Sequence, residues 1–197
     1  YLCGLKTKRM ENLVYILPVF GVIGLIYMAY LYSWVSRQDA GEDKMRTISD
    51  SIAEGAMSFL KAEYRVLAIY VVVAGTLLGV LSTQVATTHW LIVAAFVLGA
   101  VFSITAGYIG MKIATKANVR TTQAARSSLS KALQVSFKGG TVMGLGVASL
   151  AVLGLSSLFA IFFQHFMGGI WGTAVIKDNS LEAYKAMSVI LEVLAGF

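Results

Sequence analysis

The chain has 197 residues, of which 57% are hydrophobic and only 13% charged, and its mean hydropathy is +0.75. A soluble globule of this size cannot hide that much apolar surface, and soluble chains carry about 25% charged residues, so a water-soluble enzyme, a nucleic-acid module and a disordered tail are excluded. The formal charge of +6 then reads as basic loops beside a bilayer, and the single cysteine, Cys3, leaves no intrachain disulfide or cysteine-based metal site.

In chain order, Tyr1 to Arg9 precede Met10 and read as a non-native extension outside the functional sequence. The first apolar run, residues 13–34, is about the 20 residues a bilayer requires and lacks a signal-peptide cleavage site. A second span ends at Leu81. Ser51-x-x-Glu54 reads as a capping box, and Ile52, Ala56, Phe59, Leu60 and Tyr64 continue a helical stripe from it, so one helix over 52–81 is expected. Further spans follow at 90–112 and 140–163, and a fifth begins at Leu181 and is cut off at Phe197. The expected fold is therefore an all-α polytopic membrane protein with four transmembrane helices plus the start of a fifth.

Basic residues orient these spans. Arg37, Lys44, Arg46, Lys61 and Arg65 lie between the first two, and Lys112, Lys116, Arg120, Arg126, Lys131 and Lys138 lie between the third and fourth. Residues 82–89 have no Lys or Arg, and residues 167–180 have only Lys177. The positive-inside rule places the first and third connections in the cytoplasm and the N-terminus outside, with Trp34, Trp90 and Trp171 as an interfacial aromatic belt.

No catalytic constellation stands out. His89 and His165 fall at the expected outer interfaces without a carboxylate at metal-ligand spacing, and Gly139-Gly140 and Gly144-x-Gly146 lack the Lys and Ser/Thr of a P-loop. Gly75-x-x-x-Gly79 and Gly140-x-x-x-Gly144 are spacings that let helices approach closely. Lys112, Lys116 and Arg120 share a helix face if the third span continues as a helix, and their mutual repulsion calls for an anionic partner: a lipid headgroup, an acidic element of the protein, or a phosphate substrate. Glu192 lies 11 residues beyond Leu181, about 16 Å along a helix, near the middle of a core about 30 Å thick. A carboxylate at that depth suggests an ion pathway. The alternative is an interfacial amphipathic helix with Glu182, Lys185 and Glu192 wetted.

Four stretches together resemble the membrane-bound, ion-pumping inorganic pyrophosphatases. AEGAMSFLKAEYR (Ala53 to Arg65) resembles the entrance to that family's second helix and GYIGMKIATKANVRTTQAAR (Gly107 to Arg126) the cytoplasmic end of its third. FKGGTVMGLGVASLAVLGL (Phe137 to Leu155) is similar to its fourth helix, and ILEVLAGF (Ile190 to Phe197) to the start of its fifth. The resemblance implies residues 10–197 of the N-terminal part of a single transmembrane domain, within a bundle of roughly sixteen helices per subunit, in a homodimer with extracytoplasmic termini. It implies pyrophosphate as substrate, H⁺ and/or Na⁺ as the transported ion, Mg²⁺ as cofactor with K⁺ as a further candidate, and the cell inner membrane as location in a bacterium. The pyrophosphate-binding and Mg²⁺-binding motifs of the family lie beyond Phe197, so no catalytic or metal residue is carried over. Glu192 does match an acidic position, before a Gly-aromatic pair, that the family uses in ion transfer.

The competing reading is the N-terminal half of a secondary transporter or channel without hydrolytic activity, which the glycine content and Glu192 also fit. A small helical scaffold is a third.

Overall fold

The computed structural model describes residues 2–84, 90–166 and 181–197, with side chains described from residue 16 onward except at 163–166 and 181–186. The readings placed on His89, Trp171 and Lys177 lie outside the described residues, as does the side chain of His165. Five helices are described: α1 (Leu2–Ser36), α2 (Asp43–Gln84), α3 (Leu91–Ala125), α4 (Leu129–Phe166) and α5 (Leu181–Ala195). The first four are each long and apolar enough to cross a membrane, and the chain is an integral multi-pass membrane protein.

The helices outrun the apolar segments that announce them. At 1.5 Å per residue the 42 residues of α2 extend about 63 Å, twice the thickness of a hydrocarbon core. Hydropathy marks where a helix meets lipid, whereas the helix itself continues wherever propensity and packing hold it. Two expectations are corrected, one of them in part. Ser51 is not a cap but lies inside α2, its hydroxyl donating to the carbonyl of Thr47 at 3.1 Å, because the helix has already begun at Asp43. The expected stripe of α2 holds in part: Ala56, Leu60 and Tyr64 turn inward, joined by Ala53, while Ile52 and Phe59 are 51% and 61% exposed.

The described residues form two compact units. In one, containing Val22–Ala68 and Ser103–Leu150, the core joins Met28, Leu31 and Val35 of α1 to Ile113 and Ala117 of α3 and Val135 and Val142 of α4. Burial of such side chains contributes about 1.5–3 kcal/mol each in water; in lipid the contribution comes instead from close packing. Small residues make that packing possible. A Cβ on Gly139 would come 2.8 Å from Cβ of Ala117, and one on Gly24 would collide with the Ser149 hydroxyl. From α2, the Tyr64 hydroxyl donates to the carbonyl of Ile104 at 2.9 Å.

In the other unit, containing Tyr1–Gly21, Ile69–Phe102 and Ala151–Phe197, α5 packs on α3 and α4. Ile190 and Val193 are fully buried against Ala95, Leu158 and Phe162. The Phe197 ring sits edge-on to Phe102, centroids 5.9 Å apart, in space that exists because residue 154 is glycine. The two anticipated GxxxG contacts are looser. Gly140 and Gly144 meet nothing within 4 Å among the described residues, and Gly75 and Gly79 meet Val93 at ordinary contact distance, so the close approaches rest on Gly24, Gly99, Gly139 and Gly154 instead.

Candidate functional site

The connection between α1 and α2, residues 37–42, is fastened to the end of α3 by a set of directional bonds. Asp39 accepts from the backbone N–H of Gly41 at 2.9 Å, an Asx turn that reverses the chain, and from Nε2 of Gln123 at 3.1 Å. These two bonds, backbone first, hold the Asp39 carboxyl below its ordinary value, with Arg46 and Arg120 adding to the effect. Arg46 lies 3.9 Å from the Asp39 carboxylate and donates to the Gly41 carbonyl at 2.9 Å. Arg126 pairs with Glu42 at 2.6 Å.

The three cations read from the sequence lie on this same end of α3, which continues as a helix to Ala125. Arg120 reaches the last carbonyl of α1 and one of the connection after it, donating from Nη2 to Ser36 at 3.2 Å and from Nε to Gln38 at 3.1 Å, and from Nη1 to the Lys116 carbonyl at 2.9 Å. It therefore caps a helix C-terminus, where orphan carbonyls and the helix dipole favour a cation. Lys116 donates to the Tyr32 hydroxyl at 3.2 Å and lies over that ring, 5.1 Å from its centroid. Lys112 does the same with Tyr108, at 3.4 Å and 5.3 Å. Among the described residues neither lysine has a carboxylate within ion-pair distance. A cavity of about 550 Å³ opens beside this face, with Arg46, Asp50, Ala53, Lys112, Lys116 and Arg120 among its lining residues.

Glu192 stands apart, on α5, between the buried side chains Ile190 and Val193. Its carboxylate oxygen Oε2 is removed from solvent and has no hydrogen-bond partner among the described residues. The side chains of Glu182 and Lys185 lie outside the described residues. No three His, Cys, Asp or Glu side chains come together as a metal site among the described residues.

The profile of the family described as Inorganic H+ pyrophosphatase matches residues 22–197. The chain belongs to this family. Among its relatives are the K(+)-insensitive pyrophosphate-energized proton pump 2 of Moorella thermoacetica, 43% identical over 75% of this chain and 21% of the relative, and a K(+)-insensitive proton pump of Methanosarcina mazei, 39% identical over 78% and 22%. The K(+)-stimulated pyrophosphate-energized sodium pump of Thermotoga maritima is 38% identical over 76% and 20%. The chain thus spans about a fifth of the length of the curated relatives it matches.

Sequence reading missed Asp39, Gln123 and the two tyrosines. Asp39-Ala40-Gly41 does carry an Asx-turn signal, but nothing local says that Gln123 and Tyr32 complete the set, since they join across 84 positions.

Proposed function

We propose that this chain is the N-terminal part of a primary pump, one that couples hydrolysis of Mg-pyrophosphate to outward movement of H⁺ and/or Na⁺, in a homodimer of roughly sixteen-helix subunits. Its place is an integral position in a membrane, the cell inner membrane if the source is a bacterium, with the N-terminus outside. Family membership favours the pump over a secondary transporter.

The observation that carries this segment's role is the solvent-shielded Oε2 of Glu192, which has no hydrogen-bond partner among the described residues. A carboxylate kept in apolar surroundings without a partner is costly unless it takes up a cation or proton at some stage of its work. Moving one charge outward against 100 mV requires about 2.3 kcal/mol, so a staging carboxylate between the hydrolytic centre and the exit divides that work into steps. Lys112, Lys116 and Arg120 face an anion or lipid, and the bonds of Lys116 and Arg120 to α1 hold the cytoplasmic frame.

The test is Glu192→Gln in the full-length protein, which keeps size and hydrogen-bonding capacity but removes the exchangeable charge. Ion transport per pyrophosphate hydrolysed should fall sharply in sealed vesicles, with expression preserved. Parental transport at parental turnover would make Glu192 structural.

A further inference from the structure

Around Tyr64, the unit containing Val22–Ala68 and Ser103–Leu150 has two unlike sides at one depth. The Tyr64 hydroxyl meets the Ile104 carbonyl at 2.9 Å, and a Cβ on Gly107 would lie 3.4 Å from it, which fixes the register of α2 on α3. One turn along α3, Gly110 abuts Met143 of α4, and Gly146 of α4 abuts Met28 of α1. At this depth α1, α3 and α4 are uncharged: residues 22–36, 103–111 and 139–150 contain no Asp, Glu, Lys or Arg. Ile26 and Tyr27 of α1 and Met143 and Val147 of α4 are exposed there, a surface suited to lipid. Only α2 breaks the pattern. Its Lys61, Glu63 and Arg65 are exposed, and at 1.5 Å per residue Arg65 lies about 10 Å deeper than Lys112, the first charge of α3.

The exposed surface of α2 is itself divided. Asp50, Glu54, Ser58, Lys61 and Arg65 follow at steps of three or four, which keeps them on one flank. Ile52, Phe59 and Glu63 belong to the other. Lys61 and Arg65 are one turn apart and repel, and among the described residues neither has a carboxylate within ion-pair distance. Asp50 and Glu54 are about two turns or more from Lys61, nearer the start of α2. Lipid does not suit this flank, because ionised side chains at hydrocarbon depth face protein or water. A second copy does not suit it either. A two-fold contact sets one patch against itself, so Lys61 and Arg65 would oppose their own copies.

We propose that the flank of α2 carrying Lys61 and Arg65 is the docking surface for a carboxylate-bearing transmembrane segment of the same polypeptide. The inference rests on the reading of this chain as part of a longer pump, since it spans only about a fifth of the relatives it matches. The remaining four-fifths supply the segment. Its carboxylate pairs with Arg65, whose planar fork holds a carboxylate by two parallel bonds, and it relieves the repulsion from Lys61. The unit thereby turns its α1 and α4 surface to lipid and this flank of α2 to the interior of the bundle.

The experiment places the photoreactive residue p-benzoylphenylalanine at Ser58 of the full-length protein, which leaves Lys61 and Arg65 intact. Membranes are illuminated, and the adducts are identified by mass spectrometry. The probe should attach within one polypeptide to a peptide outside residues 1–197, with an Asp or Glu within a turn of the attachment point. The same probe at Val147 should attach to lipid. Attachment of the Ser58 probe to lipid, a product of dimer mass, or no adduct at all overturns the proposal. Arg65→Glu should lower the thermal midpoint, and changing the identified acid to Lys in the same chain should bring it back toward the parent's. Absence of that rescue overturns the carboxylate assignment. The adduct forms with the parental charges in place, so the result does not depend on the Arg65 variant folding. Neither readout involves hydrolysis or transport: a protein that pumps normally but gives no such adduct overturns the docking and leaves the pump reading standing.

Discussion

Gly41 carries a φ of +83°, in the left-handed region that is unfavourable for a side chain by about 1–2 kcal/mol. A Cβ there would also lie 2.8 Å from Sδ of Met45 and 2.9 Å from Oε1 of Gln123. Gly41→Ala should therefore lower stability by at least about 1–2 kcal/mol, read as a lower thermal midpoint of the purified protein. Its neighbour Asp39 supplies a pH signature. The Gly41 N–H and the Gln123 amide favour the ionised carboxyl and hold it below its ordinary value of 3.8. The stabilisation is complete above that ordinary value and is lost as pH falls through the lower folded-state value. Asp39→Asn can still accept from Gly41 but does not titrate. The difference in thermal midpoint between parent and variant should shrink as pH drops below about 4, and a difference independent of pH would remove Asp39 from the clasp.

At the scale of elements, α5 is placed by what α3 and α4 lack. A Cβ on Gly99 would run into the backbone carbonyl of Phe197, and one on Gly154 into the Phe197 ring. The carbonyl belongs to the main chain and yields less readily than a ring, so Gly99→Ala should loosen α5 more than its one methyl group suggests. Faster amide exchange within Leu181–Ala195, with exchange in α2 unchanged, is the expected readout. Gly55→Ala is the contrast, because nothing lies within 4 Å of a Cβ there and alanine is the better helix former by about 0.8–1.0 kcal/mol. Its thermal midpoint should equal or exceed the parent's.

For the whole molecule, the charge asymmetry makes a topological prediction. Cysteines placed singly at 44 and 131 in the full-length protein should be shielded from an impermeant reagent added to intact cells, and cysteines at 89 and 177 should react. Selective labelling at 131 would invert the orientation. The 197-residue chain on its own should release no phosphate from Mg-pyrophosphate above a protein-free control. Chelator-sensitive release would show that a metal site is present within it.

Membrane location, the helical class and the number of spans were determined by the sequence alone, because a bilayer imposes one strong rule: backbone groups in lipid must be satisfied within a helix, over about 20 apolar residues. The shared face of Lys112, Lys116 and Arg120 was equally legible, since it follows from helix periodicity. What those cations touch was not. Arg120 finds the end of α1 and Lys116 finds Tyr32 across 84 positions, and no local signal encodes a contact of that range. The inward face of α2 was legible at Ala56, Leu60 and Tyr64 but not at Ile52 and Phe59, for a related reason. Ile52 and Phe59 are apolar, but in a membrane protein apolar residues also belong outside, and small residues mark the packed side. That Glu192 Oε2 has no partner among the described residues was decided by tertiary structure too, because depth along a helix is set by sequence, whereas the groups around a side chain are set by which helices pack beside it.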